Sequence, residues 1–193
     1  MDTLSETFSI LPYIMAKSED EDFEIQDDLM DWMDNYARIY QPNHRSNVNG
    51  YQSPDDFYEE ESFAPFLNYM SERILSLIDK LKTNEEADIN FTPRLSNMWF
   101  NINYKGCYNT CHTHPGSQLA GILYVNTPDD SGDITFMHHD YHNLSLIQAS
   151  TKDFTPDDGD MLIFPASLQH SVGMNLQDEP RFSIAFNLYE YYD

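Results

Sequence analysis

Positive charge is what this sequence has least of. Of 193 residues only 10 are Lys or Arg, against 33 Asp or Glu, which gives a formal charge of −23. A chain so poor in cations cannot displace the counterions of a phosphate backbone, so no nucleic-acid partner is expected. An anionic membrane surface is disfavoured for the same electrostatic reason. Cysteine is scarce too. Two cysteines do not make a disulfide framework, and the expected setting is a reducing, cytoplasmic one. No apolar run reaches the roughly 18 residues that a membrane helix needs. The first 30 residues show neither the basic start nor the apolar stretch of a secretory signal. Aromatic residues, by contrast, are plentiful. With 13 Tyr, 12 Phe and 40% hydrophobic residues, the chain can bury a real core and is not a disordered acidic tail.

The pattern along the chain divides it in two within one domain: a mainly helical lead-in over 1–90 and a strand-built core over 91–193. Eight of the 13 residues from Glu19 to Asp31 are acidic, which reads as a solvated helix face and loop. Leu29, Met33, Tyr36, Ala37 and Tyr40 follow helical spacing. Ser53-Pro54-Asp55-Asp56 has the chemistry of a helix start: a hydroxyl cap, then proline, then acids at the positive end of the dipole. The clearest helix carries the stripe Phe63, Phe66, Leu67, Met70, Ile74, Leu77, Ile78 and Leu81, with Ser62 as its candidate cap. After Asn84 the period changes to alternation. Met98, Phe100, Ile102 and Tyr104 form one face of a strand, and Asn97, Trp99, Asn101 and Asn103 the other. Leu119–Asn126, Gly132–Met137, Met161–Phe164 and Phe182–Tyr189 also read as strands, separated by Pro-Gly and Asp-Gly turn chemistry. The expected fold is mainly β with N-terminal helices, an antiparallel sandwich or barrel.

Two groups of residues carry candidate chemistry. His112 and His114 are two apart, so on a strand they project to the same side. With His170, which follows a buried strand and a turn, they can hold one divalent metal and leave positions open. Surface or hydrogen-bonded core histidines are the alternative. His138, His139 and His142 have no recognisable ligand spacing and read as surface or hydrogen-bonded core residues. Between Gly106 and Asp193 the only cations are Lys152 and Arg181. Arg181 opens a strand, and Ser183 shares its face. A guanidinium and a hydroxyl pointing into a barrel make a carboxylate clamp; an outward arginine paired with an acid is the plainer reading. Cys107 and Cys111 lie close to His112 and His114, a set that could bind structural zinc. Alternation puts Cys111 opposite His112, however, and small packed cysteines are the better reading.

The run His112-Thr-His114-Pro-Gly-Ser, then Gly121-Ile-Leu-Tyr124-Val-Asn126, then Ser131-Gly132-Asp-Ile-Thr-Phe136 resembles the Fe(II)/2-oxoglutarate oxygenase superfamily. So does the ending, Gly159-Asp-Met-Leu-Ile-Phe164-Pro165 with His170 and Arg181-Phe-Ser183-Ile-Ala-Phe186-Asn187. Trp99-Phe-Asn101 ahead of a His-x-His-Pro-Gly motif, and Ser46-Asn-Val-Asn-Gly50-Tyr-Gln-Ser53 before it, resemble the 2-oxoglutarate oxygenases of bacteria and their phages. The resemblance runs from about Ser46 to the end. It implies a double-stranded β-helix (a jelly-roll, cupin-like core) with helices on one side. It implies Fe(II) and 2-oxoglutarate as cofactors, with succinate and CO2 as co-products of a hydroxylation. It assigns iron ligation to His112 and His170, and places Arg181, Ser183 and Tyr124 around the far carboxylate of 2-oxoglutarate. Asn101 or Asn103 would line the same pocket.

One position departs from the superfamily. Most members carry His-x-Asp or His-x-Glu before the distal histidine, and here the second residue is His114. Either three neutral imidazoles hold the metal, or His114 is not a ligand and water or an anion takes its place. The spacing aims His114 where the carboxylate would be, which favours the first reading. A carboxylate from elsewhere, such as Asp140, has no spacing argument. The same replacement keeps open a barrel that is non-catalytic or differently metallated, a cupin-like binding or accessory protein. The expected partner is a small-molecule or peptide or protein substrate. Tyr189, Tyr191 and Tyr192 either cover the barrel or dock on a partner.

Overall fold

A computed structural model describes residues 5–10, 13–43, 45–85, 89, 91–139 and 149–191. Strands β1 (Ser5–Ile10) and β2 (Tyr13–Ser18) form a hairpin, followed by helix α1 (Gln26–Ile39). Two short strands, β3 (Asn47–Val48) and β4 (Tyr51–Gln52), and two 3₁₀ turns (Phe57–Glu59 and Glu61–Phe63) lead into helix α2 (Ala64–Lys82). The remainder is strand: β5 (Thr92–Asn103), β6 (Tyr108–His112), β7 (Leu119–Asn126), β8 (Ile134–His139), β9 (Ala149–Phe154), β10 (Met161–Pro165), β11 (Gln169–Val172) and β12 (Arg181–Tyr191). They build a seven-stranded sheet, β1-β2-β10-β7-β12-β5-β4, facing a five-stranded sheet, β3-β6-β11-β8-β9. Every pairing given for the described strands is antiparallel.

Strand alternation sorts the side chains into two cores. Met98, Phe100 and Ile102 of β5, Leu123 and Val125 of β7, and Phe182, Ile184, Phe186 and Leu188 of β12 pack outward against Leu29, Met33, Met70, Leu77 and Ile78 of the helices. The opposite faces meet between the sheets, where Ala120, Ile122, Tyr124, Ile134, Phe136, Leu162, Phe164 and Val172 cluster. The chemistry lies on this second face. Gly121 sits where no side chain fits: a Cβ there would run into the ring of Phe186 and come within 2.8 Å of Leu162 O.

The lead-in differs from expectation in several places. Both helices are present, but residues 5–10 and 13–18 form the β1–β2 pair, which extends the larger sheet through β10. Ser53 caps no helix. Its hydroxyl accepts from the Phe100 N–H at 3.0 Å and donates to Pro54 O at 2.7 Å, stitching the loop to β5. Only 3₁₀ turns follow it. Ser62 is no cap either, since its hydroxyl accepts from Trp32 Nε1 at 3.0 Å and α2 starts without a side-chain cap. Tyr104 lies past the end of β5 and is 47% exposed, so it leaves the apolar face it was expected to share. Tyr189 is half-buried, while the side chain of Tyr191, and Tyr192 altogether, lie outside the described residues.

Candidate metal and co-substrate site

His112 and His170 face each other across the β6–β11 pair, as register partners. His114 lies two residues beyond His112, past the end of β6. Its backbone N–H donates to Ala166 O at 2.9 Å, which pins the turn onto the loop between β10 and β11. The expectation that both early histidines sit on one strand is therefore corrected for His114, yet the turn delivers it to the same place. One donor atom from each of the three rings falls within 4.8 Å of the others.

The hydrogen bonds set the tautomers. His112 Nδ1 lies 2.7 Å from Thr110 O and His170 Nδ1 lies 3.0 Å from Leu168 O. A carbonyl only accepts, so each Nδ1 carries the proton and each neutral ring keeps its Nε2 lone pair free. His114 Nε2 stands 3.1 Å from His170 Nε2. Two lone pairs at that distance repel unless a proton or a cation lies between them. Burial lowers all three pKa values, pushing His114 to about 4 and His170 to about 3, with the neighbouring His112 adding to both shifts. The rings are therefore neutral near pH 7, which is the state that binds metal without losing to protons. Trp99 stacks on His114 at 5.4 Å between ring centres, and Phe164 packs edge-on to His170 at 4.9 Å. These contacts hold the rotamers and keep water from one side of the cluster.

A narrow inner chamber runs from the three histidines between the sheets. It is lined also by Trp99, Asn101, Ile122, Phe164 and Ser183. Ser183 is the register partner of Tyr124 on β7, so the two side chains share the inner face. Arg181 lies two residues before Ser183, on the same face, and is 2% exposed. Its Nη1 donates to Ser131 O at 3.0 Å and Gly132 O at 2.8 Å. Burial lowers the Arg181 pKa to about 10, so the guanidinium stays charged. Tyr124 is fully buried, and its Oη has no hydrogen-bond partner. Burial raises the Tyr124 pKa, opposed by the charge of Arg181 nearby. Orphaned buried hydroxyls are rare in folded proteins. A phenol O–H beside a buried guanidinium and a serine is a donor set shaped for a carboxylate.

Asn101 reaches the chamber wall with its Oδ1 accepting from Asn47 Nδ2 at 3.2 Å. Asn103 has another role. Its Oδ1 accepts from Asn47 at 2.7 Å and its Nδ2 donates to Asn109 at 3.0 Å, so it ties the two sheets together. Cys107 is buried, Cys111 is exposed, and neither joins the donor cluster. Among the described residues that cluster consists of the three histidines. His138 and His139 belong to β8 but their side chains lie outside the described residues, as do Asp140 and His142. Sequence reasoning gave no role to Gln52, Thr113 or Asn187. With Trp99, His112 and His114, they line an outer cavity of about 470 Å³ that opens on the cluster. Alternation along β12 from Arg181 and Ser183 could have flagged Asn187. No local signal marks Gln52, which arrives from an edge strand.

Residues 97–187 match the family model described as "Putative 2OG-Fe(II) oxygenase". No curated protein sequence matches the chain. Among solved structures, a Pseudomonas putida prolyl-4-hydroxylase is 14% identical, with a TM-score of 0.64 over 92% of this chain and 93% of that one. HygX from Streptomyces hygroscopicus, solved with nickel and 2-oxoglutarate bound, is 12% identical, with a TM-score of 0.65 over 92% of this chain and 83% of its own. The epimerase SnoN of nogalamycin biosynthesis is 14% identical, with a TM-score of 0.67 over 91% and 76% of the two chains. In sequence over residues 97–187, and in fold over about nine-tenths of its length, the chain is similar to the 2OG-Fe(II) oxygenases.

Proposed function

We propose that the protein is an Fe(II)- and 2-oxoglutarate-dependent oxygenase that hydroxylates a small-molecule, peptide or protein substrate. The observation that carries the reading is a convergence within one inter-sheet space. Three neutral imidazoles present their donor atoms in the inner chamber, and farther along the inner face of β7 and β12, beyond the chamber's lining, an unpartnered phenol lies within the electrostatic reach of a buried guanidinium. His112, His114 and His170 would hold the metal. Arg181, Ser183 and Tyr124 would grip the far carboxylate of 2-oxoglutarate, with Asn101 on the chamber wall. Bound Fe(II) and 2-oxoglutarate supply the oxidative chemistry, in which decarboxylation to succinate and CO2 accompanies oxidation of the substrate.

The chain's own part is positioning. The two Nη1 bonds to Ser131 O and Gly132 O fix the guanidinium before any ligand arrives, so little is reorganised on binding. Trp99 stands where the inner chamber and the outer cavity adjoin, since it lines both with His112 and His114 and stacks on His114. The outer cavity is where a substrate would meet the metal, beside His112 and His114. Gln52 Oε1, buried there without a partner, would accept from an N–H or O–H of that substrate.

The test is succinate formation and 2-oxoglutarate consumption with Fe(II), ascorbate and oxygen, including turnover uncoupled from substrate. His112→Ala and His170→Ala should abolish both, and Arg181→Ala should abolish 2-oxoglutarate binding. Full activity in either histidine variant would refute the ligand assignment. Absence of both turnover and 2-oxoglutarate binding in the wild-type chain would leave a binding or accessory barrel instead.

A further inference from the structure

His112 and His170 take their tautomers from main-chain carbonyls two residues back in the chain. His114, beyond the end of β6, is served by side chains. The Asp55 carboxylate accepts from Arg45 Nη2 at 2.9 Å and from Asn97 Nδ2 at 3.2 Å. A carboxylate has no donor, so Asn97 must turn its NH2 toward Asp55 and its Oδ1 away. That Oδ1 accepts from Asn187 Nδ2 at 2.9 Å. The remaining atom, Asn187 Oδ1, is therefore an acceptor that cannot be exchanged by turning the amide over. It is buried and completes no well-formed hydrogen bond of its own. Asn187 faces the outer cavity that His114 also lines, on the inner face of the sheet beside Trp99, whose ring stacks on His114. With Nε2 turned to His170, Nδ1 is the nitrogen left to meet that oxygen.

We infer that Asp55, Asn97 and Asn187 form a relay whose last oxygen accepts a hydrogen bond from the Nδ1–H of His114 and so holds its Nε2 lone pair toward His112 and His170. The inference rests on His114 being a ligand, as proposed above, and makes Asn187 a positioning residue. Groups that hold a ligating imidazole typically matter by about 10–100-fold in metal affinity. The relay spans the long gap from Asp55 to Asn187, joining a loop of the lead-in to the last strand.

The experiment is Co(II) titration of the full-length chain, read by visible absorption, for the wild type, Asn187→Ala, His114→Ala and the double variant. Asn187→Ala should weaken Co(II) binding by about 10–100-fold and shift the absorption bands. In the His114→Ala background the same substitution should change affinity by less than about twofold, because the two residues act through one interaction. An equal loss in both backgrounds would make Asn187 a packing residue and overturn the relay. Wild-type Co(II) affinity in Asn187→Ala, with a loss in His114→Ala, would overturn the relay alone. Unchanged affinity in His114→Ala, with losses in His112→Ala and His170→Ala, would overturn the ligand role of His114 and the relay with it. Should Asn187→Ala not fold, Asn97→Ala at its half-buried position frees the same amide. A drop in Co(II) affinity that vanishes in the His114→Ala background supports the relay, and an unchanged affinity overturns it.

Discussion

Replacing Tyr124 with phenylalanine removes one oxygen atom and should move stability and ligand affinity in opposite directions. Tyr124 Oη is buried and unpartnered, and leaving a buried hydroxyl unsatisfied costs about 1–3 kcal/mol. Tyr124→Phe keeps the ring, its packing in the inter-sheet core and the β7–β12 register. At the low end of that range, about 1 kcal/mol, the metal-free chain should melt about 2–4 °C higher for a protein of this length. With co-substrate present the sign reverses. A hydrogen bond to a charged acceptor contributes about 1.5–3 kcal/mol, so 2-oxoglutarate should bind roughly 10–150-fold more weakly. Thermal melting of the metal-free variant gives the first number. Calorimetric titration of the Mn(II)-loaded protein with 2-oxoglutarate gives the second. A variant that melts lower and binds 2-oxoglutarate like the wild type would show that the phenol is a structural group, and the carboxylate-clamp reasoning would fail.

Arg181→Lys should lose both carbonyl bonds at Ser131 and Gly132 and the planar fork, dropping 2-oxoglutarate affinity by about 100-fold or more; calorimetric titration checks it, and a loss under threefold contradicts the clamp. Gly121→Ala places a Cβ against the Phe186 ring and Leu162 O, and should destabilise the fold by about 1–3 kcal/mol in urea unfolding without changing metal ligation. Burial holds His114 and His170 near 4 and 3, below the ordinary 6.5. The unfolded chain therefore binds protons that the metal-free fold refuses, and stability is fullest above about pH 6.5 and falls as pH drops toward 4. Equilibrium unfolding of the metal-free protein across that window tests the sign, and stability that rises on acidification would contradict the buried, neutral state.

Much of this architecture is legible in the sequence because alternation is local. Met98, Phe100 and Ile102 on one side and Asn97, Trp99, Asn101 and Asn103 on the other sort in the fold as their parity predicts, and so do Arg181 and Ser183. The bounds of β7 coincide with those read from its β-branched and aromatic run. What failed was non-local. The β1–β2 hairpin is a strand pair because β10 offers an edge to it, a partner more than 140 residues away. Ser53 and Ser62 have cap chemistry, but Phe100 and Trp32 claim their hydroxyls. Asn103 has the parity of a pocket residue and is consumed by Asn47 and Asn109. Asn187 shows the same limit from the other side: its parity is visible, while its pairing with Asn97 across the β5–β12 ladder is set by register.

The imidazole at position 114 makes electrostatic sense in a chain this acidic. A net charge of −23 sets up an outward field that opposes the approach of a dianion. Asp133 and Asp160 extend that field to the vicinity of Tyr124, where both raise its pKa. Lys17 pairs with Asp160 at 3.3 Å, and on the proposed reading the rest of the offset between the sheets would come from the Arg181 guanidinium and one divalent ion. A carboxylate ligand would cancel half of the ion's charge before the co-substrate arrived. A third neutral imidazole leaves that charge whole, so the pull between metal and 2-oxoglutarate is stronger in a chamber with few other cations. An imidazole needs a fixed tautomer, which a carboxylate does not. In the proposed relay, Asp55, Asn97 and Asn187 would supply it with a neutral amide as the last group, which would fix the ring and add no further negative charge beside a bound metal. On that reading the imidazole and the amide next to it would form one electrostatic solution, and His114 exchanged for aspartate would face an acceptor where it needs a donor.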